Sequence, residues 1–319
     1  MIWCEPCYRL CSCNFLRPLA LLVWTAVWPA RSWLSLAFHL SAAVAVTVAL
    51  ISAGVWLFPP WWVAWAFAAL FFAAGLRTLV VSLPVSPLPR TFRGWLGALL
   101  LASLTIYSGQ IAGEAPLGRR VPAGLVPLAF PLSGGTFLVV NGGSNPTVNA
   151  HRLTADPKRH GYAAYRGQSY GVDLVQLNSW GGTWSGLSPR RPQDHAIYGA
   201  EVLAPCAGAV LVAVDGVEDT AVGIPDRAHM AGNHVLIGCG TFEVLLGHLA
   251  PGSVRVRVGS VVTTSDVVGR VGNTGNTGAP HLHVHAQRFL RTRDPLAGDP
   301  LPITLDGRFL VRGDRVRRP

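Results

Sequence analysis

The chain has 319 residues, of which 50% are hydrophobic and 13% charged, and its formal net charge is +10. This composition excludes an intrinsically disordered chain and a coiled coil, and it indicates membrane segments. Six cysteines in a chain of this length exclude a disulfide-framed miniprotein. No basic-aromatic nucleic-acid motif accompanies the positive charge, so we expect no nucleic-acid partner.

The apolar residues are concentrated in residues 1–113. Three runs, 34–58, 61–81 and 94–113, each reach the roughly 20 residues that a membrane-spanning helix requires. Residues 18–30 form a shorter apolar run, which predicts an interfacial helix, with a fourth span as the alternative. We therefore predict an N-terminal membrane anchor of about three transmembrane helices, in contact with membrane lipid.

Arginine placement predicts the orientation of this anchor. Arginines stand before the first run and around the loop that follows the second: Arg9, Arg17, Arg31, Arg77, Arg90 and Arg93. Cytoplasmic loops carry an excess of Lys and Arg. We expect a multi-pass protein of the bacterial cytoplasmic membrane, with its N-terminus in the cytoplasm and everything after Gly113 periplasmic or extracellular.

Four cysteines precede the first run as a CxxC followed by a CxC: Cys4, Cys7, Cys11 and Cys13. Four thiolates could hold a zinc ion, and cysteines beside a membrane are candidates for lipidation. The run is very compact, however, and unmodified cytosolic thiols are the third interpretation. The sequence leaves these alternatives open.

The composition changes after the third run. Residues 114–135 are rich in Pro and Gly and predict a linker. From Thr136 short β-branched runs alternate with Gly, Asn and Asp turns, which predicts a mainly antiparallel β domain over residues 136–295. Residues 296–319 are expected to form a basic, solvated or disordered tail.

Cys206 and Cys239 both stand at predicted strand ends of the β domain. A domain outside the cytoplasm lies in an oxidising compartment, so the two are candidates for a disulfide. Two buried thiols are the alternative.

Three histidines alternate within residues 272–287, at His281, His283 and His285. Alternate side chains of a strand share one face. Each imidazole in a protein core needs a hydrogen-bond partner, so three on one face are difficult to accommodate as core residues. The pattern favours a metal site with a general base.

The sequence PHLH behind a GxTGxTG loop resembles the lysostaphin/LytM-type zinc endopeptidases, which cut peptidoglycan cross-links. Residues 245–262 are similar to the segment of that family that carries a catalytic His, and residues 169–174 to its HxGxD motif. The resemblance covers roughly residues 137–288. It implies a β peptidase fold and a Zn²⁺ cofactor.

The resemblance also implies roles for individual residues. Asp173 and His283 correspond to zinc ligands, and His248 and His281 to catalytic histidines. Zinc held by three protein groups keeps a position for water, which ionises near neutral pH, and His281 would accept its proton. His248 would stabilise the oxyanion or the base.

One departure concerns the first zinc ligand of the family, a His four residues before the Asp, which is replaced here by Ser169. A neutral hydroxyl is a poor zinc ligand. Either the site has lost its metal, or another His replaces the ligand. His151 is the best candidate, because branches of the family carry an Asn-x-His with a segment like Gln168–Asp173. The weaker candidates, more simply explained as polar loop residues, are His160 and His195.

Three further residues are candidates for supporting roles. His285 either hydrogen-bonds a metal ligand or is a packed, satisfied core residue. Asn149 and Asn233 are candidates for positioning substrate amides, with turn chemistry as the alternative.

Two functions follow from these features. The first is a membrane-anchored zinc metalloendopeptidase that hydrolyses amide bonds in peptidoglycan or another peptide substrate. The second is a catalytically degenerate LytM-like domain that binds the cell wall or regulates a wall-hydrolase partner, and Ser169 is its main support. Retention of His248 and His281 argues against the second, because a pure binding domain does not need them.

Overall fold

The computed structural model describes residues 12–28, 30–81, 83–186, 189–289 and 294–319. Residues 8–117 form one compact unit, and residues 118–319 belong to the other. The predicted cysteine cluster lies outside the described residues at Cys4, Cys7 and Cys11, as does the side chain of Cys13.

The first unit is helical. A short helix, α1 (Arg17–Val27), precedes three longer ones, α2 (Trp33–Ala53), α3 (Val63–Val81) and α4 (Phe92–Glu114). The three longer helices are long and apolar enough to cross a membrane, and at most a third of each span is buried within the protein.

Local sequence sets the ends of these helices. Ser32 and Thr91 accept a hydrogen bond from the backbone N–H three residues later, at the starts of α2 and α4. Helix α2 ends at Ala53, five residues before the predicted end of the first span. The following Gly54 lies so close to Leu50 that a Cβ there would be 2.5 Å from the carbonyl oxygen of Leu50.

The second unit is built on a nine-stranded sheet. Its strands are β2 (Gly135–Asn141), β3 (Val172–Leu177), β5 (Gly208–Val214), β6 (Asn233–Cys239), β7 (Phe242–Leu249), β8 (Val261–Val262), β10 (Leu282–Arg288), β11 (Pro300–Leu301) and β13 (Arg315–Arg318). The order is β13-β2-β3-β10-β7-β6-β5-β8, and β11 pairs with β10. Every pairing in this sheet is antiparallel, so the predicted antiparallel β domain is confirmed.

Two small sheets complete the unit. β1 (Val126–Leu128) pairs in parallel with β12 (Ile303–Leu305), and β4 (Glu201–Leu203) pairs with β9 (Val267–Arg270). Two 3₁₀ segments, Ala150–Ala155 and His160–Tyr170, connect β2 to β3.

Strand β10 shows how the sequence divides the two faces of the large sheet. Leu282, Val284 and Ala286 are fully buried in the main hydrophobic core. His283 and His285 alternate with them and therefore lie on the opposite face. The predicted common face of the histidines follows from this alternation.

The linker and tail predictions were wrong for parts of both segments. Within residues 114–135, Leu128, Phe130 and Leu132 are buried in the main hydrophobic core. Within residues 296–319, β13 pairs with β2, Val316 joins the core, and Arg312 is buried. The C-terminal segment is basic, but Val316 alternates with its arginines and packs into the core once β13 pairs with β2.

The predicted cysteine pair is a disulfide in the structure. Cys206 precedes β5 and Cys239 ends β6, and their Cα atoms are 6.0 Å apart. The bond closes a segment of 33 residues and fastens one end of the β5–β6 hairpin.

Replacement of Phe137 by Ala should lower the free energy of unfolding by about 3–5 kcal/mol, because it leaves a cavity in the core. Phe137 is fully buried, with its ring centroid 5.6 Å from that of Phe130. Denaturant unfolding of the purified chain measures the change. The matched control is Val261→Ala at an exposed position, with an expected change within about 0.5 kcal/mol. Equal effects of the two replacements would contradict the assigned core.

Candidate metal and catalytic site

The site forms where β3, β10 and β7 lie side by side. Asp173 on β3 pairs in register with His283 on β10, which pairs with Gly247 on β7. His248 follows Gly247, and His151 comes from the 3₁₀ segment Ala150–Ala155. Four separate chain segments therefore supply one cluster.

His151, Asp173 and His283 form the group that could hold a metal ion. His151 Nε2 lies 3.0 Å from Asp173 Oδ2, and His283 Nδ1 lies 2.8 Å from Asp173 Oδ1. One ligand atom from each residue lies within 4.8 Å of the others, and all three residues are buried. Ligand atoms around a tetrahedral zinc lie about 3.4 Å apart, so the donor set fits such an ion.

Gly171 allows the two imidazoles to approach each other. A Cβ at this position would lie 2.7 Å from His283 Cε1 and 3.3 Å from His151 Cδ2. The first distance is shorter than a real contact, so a larger residue would displace the rings.

A hydrogen-bonded chain of imidazoles extends from Asp173 into the domain. His283 Nε2 lies 2.9 Å from His285 Nδ1, and His285 Nε2 lies 3.0 Å from the carbonyl oxygen of Pro295. The chain has three contacts: Asp173 to His283, His283 to His285, and His285 to the Pro295 carbonyl. Both end groups are acceptors, so three hydrogen bonds would need three N–H protons, whereas the imidazoles of His283 and His285 carry only two when both are neutral.

The position of the missing proton depends on the tautomer of His283. The carbonyl of Pro295 fixes the proton of His285 on Nε2, so that His285 Nδ1 can accept from His283 Nε2. In that tautomer His283 presents the lone pair of Nδ1 on the side of Asp173, as a metal-binding His does when its other ring nitrogen donates to a neighbour. In the other tautomer His283 Nδ1 donates to Asp173 Oδ1 at 2.8 Å.

His248 and His281 stand beside this group as the predicted catalytic pair. Their ring centroids are 4.7 Å apart, and His281 Nε2 lies 3.7 Å from Asp173 Oδ1. Each Nδ1 lies 2.8 Å from a carbonyl oxygen, of Thr274 for His248 and of Ala279 for His281. These acceptors favour the tautomer that carries its proton on Nδ1 and its lone pair on Nε2.

The backbone of His248 has φ of +62°, which is uncommon for a residue other than Gly. The conformation is maintained by hydrogen bonds from His248 N to Ala231 O and from Gly272 N to His248 O. Such conformations are concentrated at functional sites.

Burial and mutual charge determine the pKa values in the cluster. Burial acts to raise the pKa of Asp173, but the charges of His151 and His281 and hydrogen bonds from His151 and His283 hold it well below 3.8. Burial lowers the pKa of His283 to about 4, against the opposing effect of Asp173. Burial, followed by the charges of His281 and His283, lowers the pKa of His248 well below 6.5. The pocket thus favours the ionised form of Asp173 and disfavours the charged forms of His248 and His283.

Ser169, at the position of the replaced family ligand, is fully buried and supports the segment that carries His151. Its Oγ lies within hydrogen-bond distance of Thr154 Oγ1, at 2.8 Å, and of the carbonyl oxygen of Arg166. Thr154 Oγ1 in turn donates to the carbonyl oxygen of His151 at 2.7 Å.

Asn149 and Asn233, which the sequence offered as substrate-positioning or turn residues, are both fully buried, and their side chains bond to backbone. Asn149 Nδ2 donates to Gly143 O and Gly171 O, and its Oδ1 accepts from His151 N. Asn233 Nδ2 donates to the carbonyl oxygens of Val217 and Leu249. Turn and loop chemistry explains both residues.

The metal group and the catalytic pair open into a cleft with apolar and aromatic walls. Its lining comprises His151, Thr154, Tyr162, Tyr165, Gln168, Asp173, Met230, His248, Asn276 and His281. The sequence analysis missed the two tyrosines and Met230, because loop residues without a motif carry no signal of where they fold. His195 lies elsewhere and packs against Trp184.

Acidification from pH 6.5 to about 4 should destabilise the metal-free fold. Burial lowers the pKa of five histidines of the second unit below the value of 6.5 that they have when unfolded: His195, His234, His248, His283 and His285. The unfolded state therefore binds more protons in this window, and the free energy of unfolding decreases as the pH falls.

Thermal unfolding in the presence of a chelator, from pH 7.5 to 4.5, measures this dependence. The depressed pKa of Asp173 extends the same trend below pH 3.8. A midpoint that is constant or increases on acidification would show that these imidazoles are not buried in their neutral form.

Comparison with known proteins gives one family match. Residues 193–295 match the sequence profile described as Peptidase family M23. The matched segment contains His248, His281 and His283, whereas His151 and Asp173 precede it. Among curated proteins, none matches the sequence.

Three solved structures illustrate the similarity. A zinc-containing peptidase from Vibrio cholerae is 21% identical, with 36% of this chain and 26% of that chain covered and a TM-score of 0.24. Lysostaphin from Staphylococcus simulans is 21% identical, with 39% of each chain covered and a TM-score of 0.25. A putative peptidase M23 from Pseudomonas aeruginosa is 19% identical, with 64% and 60% covered and a TM-score of 0.27.

The chain thus spans about a quarter of the Vibrio cholerae protein and two fifths of lysostaphin. The resemblance predicted from the sequence is confirmed by the family match: residues 193–295, within the β unit, match peptidase family M23.

Proposed function

We propose that this protein is a membrane-anchored zinc metalloendopeptidase that hydrolyses amide bonds, with peptidoglycan peptides as its substrate. The observation that carries the proposal is the group of His151, Asp173 and His283, which are all buried and have one ligand atom each within 4.8 Å of the others. Two further imidazoles, those of His248 and His281, line the same cleft. A pocket that only bound a wall polymer would need neither feature.

His151, Asp173 and His283 would hold the metal. Zinc supplies a Lewis acid that polarises a carbonyl group and makes water more acidic. The chain orients these ligands. Asp173 lies between His151 and His283, and the hydrogen bond from His283 Nε2 to His285 Nδ1 holds the ring of His283. Such supporting hydrogen bonds fix the ring orientation of a metal-binding His.

His281 is the general base of the proposed reaction. Its Nδ1–H donates to the carbonyl oxygen of Ala279, which directs the Nε2 lone pair to the side of Asp173. His248 Nε2 lies on the same side of the cleft, where its proton, once taken up, would stabilise an oxyanion. Because burial depresses the pKa of His248, it is neutral before the reaction and gains charge only during it.

The remaining features support an enzyme that works outside the cytoplasmic membrane. The three apolar helices would anchor it, and the arginine bias favours an N-terminus in the cytoplasm. The disulfide between Cys206 and Cys239 suits an oxidising compartment.

The purified chain should bind zinc at the domain site and release peptide fragments from peptidoglycan. His281→Ala should retain zinc and lose about 10²–10⁴-fold in hydrolysis rate, because it removes a base and leaves the ligands intact. His283→Ala should lose both zinc and activity. Zinc analysis and fragment release measured by mass spectrometry test these outcomes.

These measurements are made with Cys4, Cys7, Cys11 and Cys13 all replaced by Ser, so that zinc at the N-terminal thiols is not counted. His160→Ala, at an exposed position, is the matched histidine control. A chain that binds peptidoglycan, contains no zinc and releases no fragment would instead support the degenerate domain that regulates a wall hydrolase.

His151→Ala should abolish zinc binding, whereas Ser169→Ala should leave it nearly unchanged. The reason is that His151 Nε2 lies 3.0 Å from Asp173, while the hydroxyl of Ser169 is engaged with Thr154 and Arg166. Isothermal titration with Zn²⁺ distinguishes the two variants. Loss of zinc in Ser169→Ala with retention in His151→Ala would reverse the ligand assignment.

A further inference from the structure

We propose that Arg312, in the C-terminal segment, is a positioning residue for the metal site and acts through Asn141 on Asp173. The inference rests on the proposed metal-dependent function. It gives the C-terminal segment, which follows His283 by roughly 30 residues, a role in forming that site.

Arg312 lies under the loop that leads to His151. Its guanidinium donates three hydrogen bonds of 2.9 Å: from Nε to Val140 O, from Nη1 to Thr147 O, and from Nη2 to Asn141 Oδ1. Val140 and Thr147 stand at the two ends of this loop. One rigid, planar group therefore fixes both ends.

The loop is shaped to receive the C-terminal segment. A Cβ at Gly142 would lie 2.7 Å from the carbonyl oxygen of Leu310, and one at Gly143 would lie 3.0 Å from Val311 Cγ1. Two consecutive glycines thus allow backbone contact at the place where Arg312 enters.

Asn141 transmits the position of Arg312 to the metal group. Its Oδ1 accepts from Arg312 Nη2 and, at 3.3 Å, from the N–H of Ala150, the residue before His151. The guanidinium of Arg312 and the N–H of Ala150 can only donate, so the atom of Asn141 that faces them must be its oxygen. The amide nitrogen of Asn141, Nδ2, is then the donor to Asp173 Oδ2 at 2.7 Å. Arg312 therefore determines which atom of Asn141 faces the carboxylate.

The electrostatics agree with this geometry. Burial lowers the pKa of Arg312 to about 10, and the charge of Asp173 opposes that effect. The guanidinium thus stays charged at neutral pH and interacts favourably with the ionised form of Asp173. Hydrogen bonds and positive charge at an ionised carboxylate favour the form that binds metal.

The test measures Zn²⁺ affinity by chelator competition on the full chain in detergent, with the four N-terminal cysteines replaced by Ser. Arg312→Gln should weaken zinc binding by about 10–100-fold, the effect typical of groups that support a metal ligand. Arg317→Gln, at an exposed position of the same segment, should leave the affinity unchanged and is the matched control.

A double-mutant cycle with Asn141→Ala separates positioning from general structural damage. If Arg312 acts through Asn141, the double variant binds zinc no more weakly than the weaker single variant. The absorption spectrum of bound Co²⁺ should change in both single variants, because the coordination geometry shifts. Multiplicative losses of affinity in the double variant would overturn the inference.

The variant Arg312→Lys separates a loss of zinc binding from a loss of folding. Lysine keeps the charge and the stem, but its single head group cannot reproduce the planar three-way fork. We expect a folded protein, by near-UV circular dichroism, with weakened zinc binding. Unchanged zinc affinity in this variant overturns the inference alone, whereas a parent chain that binds no zinc overturns the proposed function and the inference with it.

Discussion

The arrangement of the site depends on the register between β3 and β10. This pairing places Asp173 opposite His283 in the middle of a nine-stranded sheet. A shift by one residue would turn His283 into the core and Leu282 into the cleft, because side chains alternate along a strand. Burial of Leu282, Val284 and Ala286 therefore fixes the histidines at the same time as it stabilises the fold.

A buried carboxylate is costly unless the surrounding groups compensate its charge. Asp173 has an amide donor in Asn141 and imidazoles on both oxygens. The same surroundings keep it ionised and limit the positions that its oxygens can occupy. The groups that make burial of this carboxylate tolerable are therefore the same ones that orient it toward the candidate cation site.

The sequence was informative where one residue type repeats with the period of the structure. His281, His283 and His285 alternate, so their common face follows from strand geometry. The positions of His151 and Asp173 came from a resemblance, because no local pattern relates residues that meet across a sheet. The sequence left the roles of Asn149 and Asn233 open, since an amide that bonds buried backbone has the same sequence context as one that faces a ligand. Arg312 was missed because an Arg-rich end is typical of a solvated surface, and the packing of Val316 against β2 becomes visible only with the sheet.

Sequence distance within the cluster has a consequence for biogenesis. His283 and Asp173 are separated by 110 positions, and Arg312 and Asn141 by 171. Contacts between such remote positions form late, because a long loop must close before they contribute any free energy. A partly synthesised polypeptide consequently lacks the complete group of His151, Asp173 and His283, so this group can form only after the strand that carries His283 has been made and paired.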